Sequence, residues 1–226
     1  TLDRSSAASD VYKRQLVQRW CSTFTNEGQM MNDPLTSELD RYKQDFRDNR
    51  STARNLFSTL PPQEFNWNPK KECWSIAQCL THLIISSKLY SSAILTAVST
   101  AEPARKSDLG PYQYGLLSRM MIKSLDPSNR RTYKAPRKFA PPFIYYPVDS
   151  VIAEFEASGN QWVECLECSN GLNLAKVKVT SPVMPLLRFQ LGATFAMMVM
   201  HERRHLLQAQ TVTTTAGFSD IPLEDS

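Results

Sequence analysis

Glycine is scarce in this chain, with 7 in 226 residues, too few for the many tight turns of a β-sandwich or barrel. No apolar run approaches the roughly 18 residues that a membrane-spanning helix needs, so a membrane protein is not expected. The five cysteines (Cys21, Cys73, Cys79, Cys165, Cys168) form no even, regularly spaced framework, and no secretory signal precedes them. A cytoplasmic, reducing location is therefore expected. Cys165 and Cys168 make a lone C-x-x-C; without a second such pair, two half-buried thiols are expected there in preference to a zinc or redox site. Histidine is the rarest chemistry-bearing residue, with only three in the chain.

What is present suits helices. Hydrophobic residues make up 42% and charged residues 21%, ordinary values for one globular domain of this length. Long stretches mix Leu, Ala, Gln, Lys and Arg, all good helix formers. The net charge of +4 is mild but uneven: residues 101–140 hold nine basic side chains against three acidic ones. No recognition helix or aromatic interleaving accompanies them, so nucleic-acid binding is not expected. The stretch through Gln15 has no apolar period and no targeting logic and reads as a tail, disordered or non-native, over residues 1–30. With Met30 and Met31 as candidate starts, the domain is expected over 31–212, where Asn32, Asp33 and Thr36 supply turn and N-cap chemistry. A loose polar tail is expected over 213–226.

Four long helices follow from periodicity. Leu35, Leu39, Tyr42, Phe46, Ala53, Leu56, Phe57 and Leu60 recur at three- and four-residue steps, and Pro61-Pro62 ends that helix. Ser75 with Gln78 predicts a capping box opening a second helix, whose stripe runs Ile76, Leu80, Leu83, Ser87, Tyr90 and Ile94 to about Ser99. Seven prolines between residues 100 and 147 exclude a long helix there and predict a long crossover, with room for a short helix over Tyr112–Leu125. A third helix is expected from Val148 to Cys168, burying Val151, Ile152, Phe155, Trp162, Val163 and Leu166. The fourth is expected to begin after Pro185, carrying Leu186, Phe189, Leu191, Phe195, Met198 and Val199 toward a histidine pair. The fold class is all-α, a four-helix bundle with a long crossover between the second and third helices.

His201 and His205 stand four residues apart on the fourth helix, about one turn, so both imidazoles share a face and suit a single ion. His82 lies about two turns into the second helix and, if the two helices are antiparallel, reaches the same depth. A three-histidine site leaves a coordination position open for water or substrate, as a catalytic zinc requires. His201-Glu202-Arg203-Arg204-His205 also spells the H-E-x-x-H of zinc peptidases. A metzincin would continue with glycine and a third histidine where this chain has Gln208 and Thr211. Glu202 is thus expected to be a surface charge rather than a ligand-orienting partner or a general base. Trp67 and Trp74 are expected to brace the start of the second helix, and Met197, Met198 and Met200 to fill core.

Three passages carry a family resemblance: FNWNPKKECWSIAQCLTHL with His82, KFAPPF from Lys138 to Phe143, and HERRHLLQAQ from His201 to Gln210. With these the chain resembles the DinB-like superfamily, the DinB and YfiT-like metalloenzymes, over about 35–212. The resemblance implies up-down-down-up topology, one divalent ion, zinc or nickel, on His82, His201 and His205, and frequent homodimers. It implies a small-molecule substrate, and by analogy with members that act as thiol transferases, a low-molecular-weight thiol activated by the metal. Gln208 matches the family's glutamine after the second histidine and is expected to orient a ligand or to pack on the helix surface. The alternatives are a metal-dependent hydrolase and a noncatalytic metal-binding helical module; no catalytic residue is assigned.

Overall fold

A computed structural model describes residues 34–129, 131 and 134–222. The tail expected over 1–30, and Asn32 and Asp33 after it, lie outside the described residues. The molecule is mostly helical. Helix α1 spans Pro34–Phe57, the short α2 Pro62–Asn66, α3 Ile76–Val98, α4 Leu116–Leu125, α5 Val148–Glu167 and α6 Leu191–Thr213. None of them is long and apolar enough to cross a membrane.

Each long helix forms where its apolar spacing dictates. On α1 the buried side chains are Leu39, Tyr42, Phe46, Asn49, Ala53 and Phe57, a three- and four-residue stripe facing the interior. Helix α3 opens on the expected capping box: the Ser75 Oγ accepts from the Gln78 amide at 3.2 Å, and the Ser75 amide donates to Gln78 Oε1 at 3.0 Å. Two amides that helix geometry leaves without partners are satisfied there. On α5 the buried face carries Val151, Ile152, Phe155, Trp162 and Leu166, while Val163 is only half-buried.

The core divides into two clusters along the helices. One gathers Phe46 of α1, Tyr90 and Ile94 of α3, Trp162 of α5 and Phe195 of α6. The other gathers Phe57 of α1, Leu80 of α3, Phe155 of α5 and Leu206 of α6. Chain direction follows from the order in which each helix meets them: α1 and α6 pass from the first cluster to the second, α3 and α5 from the second to the first. Helices α1 and α3 each pack against both α5 and α6.

The chain just before α6 departs from the expectation of helix from Pro185. Lys178–Thr180 and Arg188–Gln190 form a two-stranded antiparallel hairpin, β1 and β2, with Val179 opposite Phe189. Both of these are buried while their neighbours in the strands point outward, the period-two alternation of a half-buried strand. Phe189 therefore belongs to a strand, and Leu186, placed on the helical stripe, is 98% exposed in the connecting turn. The C-x-x-C likewise holds only one thiol: Cys165 donates to the Ser91 carbonyl at 3.7 Å, whereas Cys168 is disulfide-bonded, so the two do not bridge each other.

The crossover is docked, not loose. Tyr114 and Tyr42 both donate to the Glu38 carboxylate, the latter at 3.0 Å. Tyr114 lies so close to the start of α6 that a Cβ at Gly192 would fall 1.9 Å from its hydroxyl, so only glycine fits there without displacing the ring. Phe218, beyond α6, is buried against Trp67 with ring centroids 5.8 Å apart.

Candidate metal centre

His82 enters the site from the second turn of α3, and His201 and His205 enter from α6. Because α3 and α6 run in opposite directions, the three residues meet at one level. One ring nitrogen from each lies within 4.8 Å of the others. His82 is buried at 4% exposure, while His201 and His205 are half-buried.

The proton positions are set by neighbouring groups. His82 Nδ1–H donates to the Phe139 carbonyl at 2.7 Å, which leaves a lone pair on its Nε2. His205 Nδ1–H donates to Gln208 Oε1 at 2.9 Å and frees its own Nε2 in the same way. Outward hydrogen bonds of this kind commonly orient metal-bound imidazoles. His82 Nε2 stands 3.1 Å from His201 Nε2; two ligands each about 2.0–2.1 Å from one ion sit about this far apart. The His201 Nδ1 is buried without a hydrogen-bond partner.

All three rings are shifted toward the neutral form, the one that can bind a metal. Burial is the main cause in each case. It lowers His82 against the opposing Phe139 hydrogen bond, pushes His201 well below its ordinary value with help from His205 and His82, and brings His205 down to about 3. The donor set, its neutral state and its spacing fit a divalent ion. Three imidazoles discriminate poorly between zinc, nickel and their neighbours.

Two residues that the sequence placed at the margin are closer in. Trp74 packs on the triad, its ring centroid 4.8 Å from that of His82 and 5.8 Å from that of His205, and so walls the site as well as bracing α3. Gln208 orients His205. The residue sequence reasoning missed is Phe139, which acts through its backbone carbonyl; the KFAPPF passage that contains it was visible only as a resemblance.

Glu202 is the clearest correction. It is fully buried, not a surface charge. Its carboxylate accepts from Arg50 Nη1 at 2.5 Å and Nη2 at 2.9 Å, from Asn49 Nδ2 at 3.0 Å and from Trp162 Nε1 at 3.0 Å. Arg50 also lies over the Phe155 ring at 4.1 Å. The glutamate thus ties α6 to α1 and α5, and its oxygens are committed away from the imidazoles. The zinc-peptidase reading of H-E-x-x-H, which needs that carboxylate beside the ion, does not fit this arrangement.

No curated protein and no solved structure shows a significant match to the chain. A family model described as the DinB superfamily matches residues 45–209, a span that runs from α1 through all three histidines. With most of the chain matched and the triad assembled from the expected helices, this protein belongs to the DinB superfamily.

Proposed function

We propose that this protein is a metal-dependent enzyme of the thiol-transferase type, using one divalent ion, zinc or nickel, on His82, His201 and His205. The observation that carries the reading is the triad's pre-set geometry: three neutral imidazoles within 4.8 Å, two with Nδ1–H already donated outward. The frame is an up-down-down-up four-helix bundle over 31–212. The opposite directions of α3 and α6 and the long chain between α3 and α5 support that topology.

When bound, the ion supplies Lewis acidity that lowers the pKa of a thiol sharing its coordination sphere. The chain does the rest. His82, His201 and His205 hold three positions, leaving at least one for substrate. Phe139 and Gln208 keep two of the rings in the required tautomer, and Trp74 offers an apolar face beside them that excludes water from one side. The thiol would give its proton to solvent, and its sulfur would bond to an electrophilic carbon whose leaving group departs with the bonding pair.

Elemental analysis of protein purified without a metal-affinity tag tests the centre: about one ion per chain is expected, and a ratio near zero rejects it. Conjugation of a small thiol to an electrophile, lost in His201→Ala, tests the reaction. Equal turnover by chelator-treated protein rejects a metal-dependent transferase.

A further inference from the structure

A cleft of about 450 Å³ lies near the end of α3 remote from the triad, between the last turn of that helix, the segment that follows it and the turn leading into β1. Ala97, which lines it, stands well beyond His82 on the same helix, about 22 Å further at 1.5 Å per residue. The space exists because the side chains beneath it are small. Ala97 and Ala101 form its floor with Val177, and all three pack on the first core cluster. Hydrogen bonds tie the walls in place: the Ala104 amide donates to the Gly171 carbonyl at 2.9 Å, and the Asn173 side chain donates to the Asp108 carbonyl at 2.8 Å while accepting from the Ala175 and Lys176 amides at 3.0 and 2.9 Å. A cleft of small-molecule size whose backbone is already fixed needs little ordering when it is filled. Its rim is charged. Lys176 pairs with Asp108 at 2.6 Å. Arg105 and Lys178 are exposed, and neither forms an ion pair among the described residues; Lys178 Nζ reaches the Ala175 carbonyl at 3.3 Å. Glu102 is the one acidic side chain of the lining outside the Lys176–Asp108 pair.

We infer that this cleft is a second ligand site, separate from the metal centre, for a small monocarboxylate with an aromatic or branched apolar body. The body lies on the alanine and valine floor, where its burial removes apolar surface from water. The carboxylate meets Arg105 and Lys178, the guanidinium offering two parallel donors to its two oxygens. Glu102 and Asp108 on the same rim repel a second negative charge, which selects against phosphate esters and dicarboxylates. The site does not depend on the metal.

The test follows backbone amide shifts of the full isotope-labelled chain, as purified and again after chelation, on titration with phenylacetate, uncharged phenylacetamide and phenyl phosphate. Phenylacetate is expected to saturate in both forms, with the shifted amides falling within 97–108 and 173–178. It should bind at least about threefold more tightly than phenylacetamide, as two exposed charge contacts acting together allow. The Arg105→Gln, Lys178→Gln variant, which changes only exposed side chains, should lose that preference, and Lys178→Arg should keep it. Ala101→Leu, which fills the floor, should remove saturation by either ligand; if that variant does not fold, the glutamine variant decides. Competition by isovalerate tells a branched body from an aromatic one. No saturation by phenylacetate or isovalerate, equal binding of the amide, a preference that the glutamine variant keeps, or tighter binding of phenyl phosphate each overturns the inference. Shifts centred on His82, His201 and His205 that vanish on chelation also overturn it, because they place the carboxylate on the ion. None of these outcomes decides whether the histidines hold a metal, which elemental analysis settles by itself.

Discussion

Gln208 accepts the Nδ1 proton of His205 at 2.9 Å, one helical turn further along α6. The bond costs nothing in helix geometry, because residues three apart already share a face. It turns the His205 ring so that Nε2 meets the nitrogens of His201 and His82.

Gln208→Ala is expected to weaken metal affinity about 10–100-fold, the usual effect of removing a hydrogen-bond partner behind a metal-binding imidazole. Gln208→Glu, which keeps an acceptor for the Nδ1 proton, should restore most of the affinity. Competition with a chromophoric chelator measures both; full affinity in the alanine variant would show that the ring needs no such support.

Removing the Glu202 carboxylate should act on the fold. Glu202→Ala leaves Arg50, only 11% exposed at its side chain, without its counter-charge, a change that costs about 3–5 kcal/mol at buried pairs. Urea unfolding should show the loss directly. A variant with wild-type stability but no activity would instead return Glu202 to the chemistry.

The capping box makes a smaller and more local prediction. Ser75→Ala removes the acceptor for the Gln78 amide and should cost about 1 kcal/mol. Four residues after Gln78 lies His82, so loosening of the first turn of α3 is expected to appear as faster hydrogen exchange there without loss of the bound metal.

Alkaline pH should destabilise the protein through Tyr42 and Tyr114. Burial, reinforced by the nearby Glu38 carboxylate, raises both phenols above their ordinary value of 10.0, and at Tyr114 the neighbouring Tyr42 adds to the rise. The folded chain therefore keeps protons that the unfolded chain releases above about pH 10, and stability falls as pH rises past that point. Thermal unfolding followed from pH 8 to about 11 tests this. Tyr114→Phe should flatten the decline, and an unchanged profile in that variant would remove Tyr114 from the account.

Local signals were legible wherever one stretch of chain carries the whole cause. Ser75 and Gln78 satisfy each other across three residues, and the stripe on α1 needs only the helical period. His201 and His205 likewise share a face by spacing alone. The hairpin before α6 was misread because Leu186, Phe189 and Leu191 fit a helical stripe as well as Phe189 fits an alternating strand; short apolar runs do not separate the two periods. What decided it was Val179, ten positions before Phe189 in sequence and paired opposite it.

The sequence by itself determined that the chain is helical, that its second long helix begins at Ser75, and that its three histidines are the residues to watch. Tertiary structure decided the remainder. Helix α6 is packed by α1, α3 and α4 together, so a charged residue on it can be interior, and Glu202 became a core ion pair instead of a surface charge. The union of His82 with His201 and His205 required α3 and α6 to run in opposite directions, and the Phe139 carbonyl reached His82 across 57 positions of chain. Periodicity reports which side of a helix is apolar. Which neighbour lies against that side is set by the packing of the whole chain.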